Sequence, residues 1–260
     1  AIAGHPYLAI PAAMGAGVLS GFITALLQTK MGIDSLLAGI IVNTGLYSIN
    51  IAVMGGSSLL NMNKTETVFT KARALLQGTF LAEQYKLLVA AIAVIAVIVF
   101  LALFLHTRLG LAIRATGDNA AMVRASSINP AFTITVGLCI SGALTALSGG
   151  LLAQYQKSSD INVGTGMVTI ALASLIIGET LGGKRTMLRR ILGVVFGSCL
   201  YRFIVAVALR FNVPAAAMKL VSAIIVAIAI SMPAIKEKIA FEQRKHGACR
   251  RRVTTGKEGK

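Results

Sequence analysis

Long apolar stretches, each free of Asp, Glu, Lys and Arg, alternate with short polar segments along the chain. The charge-free runs are 1–29, 35–63, 87–107, 125–156, 161–178 and 220–235. A helix needs about 20 mostly apolar residues to cross the hydrocarbon of a bilayer. Four of the runs clear that length unaided and the other two approach it. Buried helices of water-soluble domains rarely run so far without a charge. The pattern predicts seven apolar helical segments, at about 5–27, 34–57, 87–105, 130–154, 163–180, 191–210 and 217–235. The expected fold class is therefore all-α, a polytopic transmembrane helical bundle of about seven spans over residues 1–235, followed by a tail at 236–260.

The weakest segment is 163–180, which is short and interrupted by Gly164, Gly166 and Gly178. A full span is preferred there over a re-entrant or broken helix, because removing one crossing disturbs the charge bias described below. Small residues four apart recur: Gly17 and Gly21, Ala146 and Gly150, Gly193 and Gly197. That spacing lets helix backbones approach closely where lipid supplies no hydrophobic drive, although glycine is also simply common in membrane helices.

Composition sharpens the picture. The 260 residues are 56% hydrophobic and 13% charged, with a mean hydropathy of +0.79; soluble domains carry about a quarter charged residues. The formal net charge of +16 raises the question of nucleic acid, but nine of the 25 basic residues lie in the tail from Lys236 to Lys260, beyond the last apolar run. Beside a membrane span, a basic tail reads as a cytoplasmic retention signal with affinity for anionic lipid, not as a nucleic-acid site. With that tail inside and every segment crossing, seventeen basic residues fall on the cytoplasmic side and seven on the other. The positive-inside rule is thus satisfied. The same orientation leaves Ala1 outside, as expected of a chain lacking an earlier span. No basic region precedes the first apolar run, so a signal peptide is not expected.

The polar stretch from Thr107 to Asn129 (TRLGLAIRATGDNAAMVRASSIN) stands between two strong spans. Its pattern predicts two short helices around a turn. Leu109, Leu111, Ala112 and Ile113 suit the first, and Thr116, Gly117 and Asp118 are expected to break it. Asp118 is placed to cap a second helix over Asn119–Ser127, and Asn129–Pro130 opens the next span with a cap and a proline in the first turn. Such a pair could be a knob for a soluble partner to grip, or an ordinary loop with an amphipathic turn.

Ala112–Ile128 (AIRATGDNAAMVRASSI) resembles the coupling segment of ABC-importer permeases of the branched-chain amino acid and ribose type, most closely the tryptophan/tyrosine transport permease subgroup. The runs at 26–55, 147–179 and 200–211 fit the same family. The resemblance implies a permease subunit of an ATP-driven importer for a small solute, an amino acid by its nearest likeness, in a bacterial cell (inner) membrane. It implies pairing as a homodimer, a cytoplasmic ATP-binding cassette subunit that carries ATP and magnesium, and an extracytoplasmic solute-binding protein. It also implies that the family's opening span and the segment after it are missing here. Carried over by position, the ATPase-coupling residues would be Arg114, Ala115, Gly117, Asp118, Asn119, Arg124 and Ala125. Ser127 departs from the family's pattern, where glycine is expected before the isoleucine, and a tight approach there would be weakened.

Other features point less sharply. Gly178–Arg185 nearly matches a phosphate-binding loop, but Arg185 stands where Ser or Thr should meet magnesium, and the segment follows a span rather than a strand. The chain is therefore expected to bind no ATP and to be no enzyme. Arg202 is the one charge deep within a span, with Glu179 and Asp160 the nearest acidic residues in sequence; it could contact solute or form a buried ion pair. Asn43, Tyr47 and Asn50 share one helical face, with Thr44 and Ser48 nearby, and either line a translocation path or hydrogen-bond between helices. The three histidines and three cysteines lack metal-ligand spacing. An ion-coupled secondary transporter is the alternative function, but it would want acidic residues inside spans. Asp34, Asp160 and Glu179 all sit near proposed ends.

Overall fold

The computed structural model describes residues 6–62, 67–75, 84–164, 167–182 and 186–210, with single positions at 220, 223, 224, 227 and 231. The described chain is helical apart from one pair of three-residue strands. Among the described residues five helices are long and apolar enough to cross a membrane: α1 (Pro6–Lys30), α2 (Ser35–Val53), α4 (Tyr85–His106), α7 (Pro130–Gln156) and α9 (Met187–Arg210). Four shorter described helices, α3 (Val68–Leu75), α5 (Arg108–Asp118), α6 (Ala120–Ala125) and α8 (Met167–Gly182), lie between them.

Segment 163–180 becomes a short 3-10 turn at Ile161–Gly164 and a helix α8 over Met167–Gly182. The helix has 16 residues. At a rise of about 1.5 Å per residue it is about 24 Å long, short of the roughly 30 Å of hydrocarbon in a typical bilayer. The proposed segment at 217–235 and the tail at 236–260 lie outside the described residues, save those single positions. The chain divides into two compact units, Ala1–Asn162 and Val163–Lys260.

In the first unit α1 runs antiparallel to α7 along a seam of small residues. A Cβ on Gly17 would strike the Gly142 carbonyl and the Ala146 side chain, and one on Gly21 would strike the backbone of Leu138 and Cys139. A Cβ on Gly142 would meet the Gly17 carbonyl, and Gly150 faces Ala13. Ala13, Gly17 and Gly21 on one helix thus meet Gly150, Ala146 and Gly142 on the other, both sets spaced four apart. Such spacing puts one small residue per turn on a single face. α2 packs on α1, and its buried residues are Ala38 and Val42. Asp34 caps it by accepting from the Leu36 amide at 2.9 Å.

At the end of α7 remote from Pro130 a small cap assembles. α2 stops at Val53, before the predicted limit at 57, because Gly55 and Gly56 take positive φ values of 72° and 84° and turn the chain away. Strand β1 (Leu59–Asn61) then pairs antiparallel with β2 (Ser158–Asp160), Leu60 opposite Ser159. Thr67, fully buried, accepts from the Thr70 amide and so caps α3. The Val68 amide donates to Oε1 of the buried Gln154 at 3.0 Å. Phe69 sets its ring edge-on to Tyr155 with centroids 5.7 Å apart.

In the second unit α8 and α9 pack antiparallel along another seam. Cβ atoms on Gly178 and Gly197 would strike Gly193 and Ser174 respectively, at their carbonyl oxygens. Tyr201, one turn beyond Gly197, is almost fully buried.

Gly142 and Gly149 lie on the same helix but differ in surroundings, since a Cβ on Gly149 meets nothing within 4 Å. Gly142→Ala is expected to destabilise by about 1–3 kcal/mol through overpacking against backbone. Gly149→Ala should be neutral or gain up to about 1 kcal/mol from helix propensity. Thermal unfolding followed by circular dichroism in mild detergent distinguishes them; equal midpoints would contradict the seam.

Candidate functional site

The polar stretch between α4 and α7 forms a folded-back helix pair whose joints are closed by hydrogen bonds. Thr107 ends α4 and starts α5 at once: its hydroxyl donates to the Phe104 carbonyl at 2.6 Å and accepts from the Gly110 amide at 3.2 Å. Gly110 is buried against the end of α4, and a Cβ there would strike Phe104 O and Leu105 Cα. The turn between α4 and α5 is therefore built on the absence of a side chain.

Deeper in the pair, Thr116 and Thr133 bring their hydroxyls to 2.8 Å, joining α5 to the first turn of α7. Both are buried, at 8% and 2% exposure. Thr116 also lies 2.7 Å from the Ala112 carbonyl and Thr133 2.9 Å from the Pro130 carbonyl. Two hydroxyl protons serve three contacts, so whichever threonine donates to the other gives up its own backbone acceptor. Each hydroxyl stays hydrogen-bonded either way, as burial requires.

The expected break at Thr116–Asp118 does not occur. α5 continues through Asp118, because Thr116 turns inward to Thr133 and the backbone stays helical. The cap of α6 is Asn119, not Asp118. Asn119 is the residue whose backbone is extended, and its Oδ1 accepts from the amides of Ala121 and Met122 at 3.0 and 3.1 Å. Asn129 caps α7 as expected, accepting from Ala131 at 3.0 Å, with Pro130 in the first turn.

α6 ends in a left-handed residue, Ser127, with φ at 60°. The Ser127 amide donates to Arg124 O, and the Ile128 amide to Val123 O, both at 3.3 Å. This paired closure is a Schellman motif, which normally places glycine where Ser127 stands. The departure noted in the sequence thus has a conformational meaning: the position asks for a residue without a Cβ on backbone grounds alone.

The seven carried-over residues fall together on this pair, and all are exposed: Arg114, Ala115, Gly117 and Asp118 on α5, Asn119 at the joint, Arg124 and Ala125 on α6. The buried residues Gly110, Thr116, Val123 and Pro130 hold the pair in place. Gly117 is unusual. It is helical, and a Cβ there would meet nothing within 4 Å, so no contact with the described residues calls for glycine.

Asn43, Tyr47 and Asn50 lie on α2 and are exposed, as is Thr44, which bonds back to Ile40 O at 2.9 Å. Arg202 lies within α9 and is exposed, in the second unit. The Asp160 carboxylate accepts from its near neighbour Asn162, through both amide nitrogens. The near-match to a phosphate loop begins as helix, since Gly178–Gly182 closes α8; Lys184 and Arg185 lie outside the described residues. Among the described residues no three His, Cys, Asp or Glu side chains are placed to hold a metal ion.

Sequence reasoning missed the Thr116–Thr133 tie and the cap at the other end of α7. A threonine seventeen residues from its partner carries no local signal. For α3, the apolar residues Val68, Phe69 and Leu75 sit among Lys71 and Arg73, and the mixture reads as loop.

A family model described as branched-chain amino acid transport system / permease component matches residues 2–230. The chain belongs to this family. The permease is similar to the tyrosine transport system permease protein of Clostridioides difficile (strain R20291), 34% identical over 221 residues that cover 85% of this chain and 71% of the relative. It is also similar to the ribose import permease protein of Escherichia coli K12, 26% identical over 201 residues, covering 76% and 59%. No solved structure matches. The permease is thus a multi-pass membrane protein and a permease component of an ABC-type transport system for amino acids or sugars.

Replacing Ser127 with glycine relieves the left-handed strain and should stabilise the permease by about 0.5–1 kcal/mol. Thr133→Val removes one hydroxyl while Thr116 keeps the Ala112 carbonyl, so a loss of about 1 kcal/mol is expected. Thermal unfolding in detergent reads both, and a destabilising Ser127→Gly would contradict the motif.

Proposed function

We propose that the permease imports a small solute, an amino acid, under the drive of a cytoplasmic ATP-binding cassette subunit that acts on α5 and α6. The observation that carries this reading is the contrast within the pair. Its inner residues are engaged with α4 and α7, while Arg114, Gly117, Asp118, Asn119, Arg124 and their neighbours face outward. Glycine in a helix costs about 1 kcal/mol relative to alanine. An exposed helical glycine with free space around it makes sense where another molecule comes close to the backbone.

On this reading the α5–α6 end of the first unit is cytoplasmic. Lys30 belongs to that side too, because α1 runs antiparallel to α7 and ends near its start. The tail at 236–260 would be cytoplasmic, with about seven crossings in a bacterial plasma membrane, α8 counting as a short crossing around which the bilayer thins. ATP and magnesium would be held by the partner ATPase, which does the hydrolysis; the permease would do none. An extracytoplasmic binding protein would deliver solute to a permease homodimer, and ATP-driven closure would alternate access. Asn43, Tyr47, Asn50 and Arg202 would line the path, since polar groups exposed on spanning helices need water or another chain beside them. The amino-acid assignment rests on the tyrosine-transport relative.

The test is recovery of a cytoplasmic ATPase with the tagged permease from its native cells in mild detergent, identified by mass spectrometry. Gly117→Ala should leave the fold as stable or up to about 1 kcal/mol more so, yet reduce recovery of the ATPase. Gly117→Leu, or charge reversal of Arg114 and Arg124, should abolish it. A folded permease that brings down no ATPase, under conditions that preserve a known importer, would favour ion-coupled transport instead.

A further inference from the structure

At the end of α7 opposite the helix pair, the small cap encloses an open cleft of about 300 Å³ whose lining includes Arg73, Tyr85, Lys86, Tyr155 and Lys157. Three of these carry positive charge, and none of the described lining residues carries a carboxylate. Lys86 does not extend freely into solvent: its ammonium lies over the Tyr155 ring, 5.1 Å from the centroid. That cation–π contact holds the charge at the rim. Lys157 adopts a left-handed backbone at the end of α7, which turns the chain toward β2. A cleft whose described lining offers three cations and the amides of Gln154 and Gln156, and no carboxylate, suits a negatively charged group.

The surroundings say what else the ligand must possess. Tyr85 and Lys86 open α4, a spanning helix of 22 residues, none of them buried. Leu87, Ile92, Ile95 and Leu103 are each more than half exposed. The cationic cleft therefore sits directly at the head of a long apolar surface. Tyrosine and lysine at such a boundary are the residues that anchor at the membrane–water interface. A free anion would use the cleft and ignore the helix; an amphiphile with an anionic head would use both.

We propose that this cleft binds the phosphate headgroup of an anionic phospholipid whose acyl chains lie along α4. Arg73, Lys86 and Lys157 supply the charge, Tyr85 and Tyr155 mark the interface, and Thr70 and Gln156, also in the lining, offer hydrogen bonds. The site requires only that the chain spans a membrane. It does not depend on the coupling role of α5 and α6 or on which solute is carried.

The test is native mass spectrometry of the delipidated full-length permease, together with any subunits that purify with it. Phosphatidylglycerol is titrated against phosphatidylcholine of the same acyl chains, and thermal unfolding is followed in parallel. The permease should retain phosphatidylglycerol in preference, and Arg73→Gln, Lys86→Gln and Lys157→Gln should each reduce the preference about fivefold. Lys86→Arg should keep it. Thermal unfolding of each single variant shows that it folds before its lipid preference is read. Equal retention of the two lipids, or a preference untouched by all three substitutions, would overturn the proposal. So would stabilisation by inorganic phosphate matching that by the lipid, which would assign the cleft to a free anion. Loss of a co-purifying protein with unchanged lipid preference would overturn it too, and would assign the cleft to a protein contact.

Discussion

Two helices surrounded by hydrocarbon gain nothing from hiding apolar side chains, because lipid is as apolar as leucine. They stay together when their backbones come close enough for many weak contacts to form at once. In this chain that condition is met by glycine and alanine repeating once per turn. The seam of α1 with α7 allows no Cβ on Gly17, Gly21 or Gly142, and that of α8 with α9 allows none on Gly178 or Gly197. Bulky residues elsewhere on these helices are free to face lipid, which is why so many large apolar side chains are exposed.

The helix pair inherits its position from the first seam. α1 fixes α7, α7 fixes Thr133, and Thr133 fixes α5 through Thr116. On the other side Gly110 and Thr107 leave α5 one way to leave α4. A helix as short as α6 has no stability of its own in water. It exists because Asn119 caps one end, a Schellman closure finishes the other and Val123 is buried beneath.

The spans were legible because charge is so costly in hydrocarbon that its absence marks them. The predicted 130–154 and 87–105 lie within two residues of α7 and α4 at each end. Where the limits differ, the reason is that hydropathy and helicity are separate properties. α9 begins at Met187, ahead of the predicted 191, because Arg189 and Arg190 are tolerated in a helix although not in lipid. α2 ends early because two glycines adopt backbone angles that composition does not reveal. At the helix pair, Asp118 and Asn119 are both good capping residues, and only the backbone angle decides between them. The tie between Thr116 and Thr133, and the insertion of Gln154 beneath α3, are long-range partnerships of polar residues. No periodicity announces them.

α7 is gripped at both ends. Near Pro130 it carries Thr133, bonded to α5; near Gln156 it carries Gln154, bonded to α3, and Tyr155, set edge-on against Phe69 of α3, and then the strand pair. The helix runs for 27 residues. That makes a beam of about 40 Å with a fitting at each tip. A helix that tilts as one piece does not move at one tip alone. If it pivoted at its base, a tilt of about 10° would carry the far fitting sideways by roughly 7 Å, dragging the strand pair and α3 with it. On the proposed coupling role, the far surface of this unit would then be mechanically addressed by the helix pair, with no relay of side chains in between.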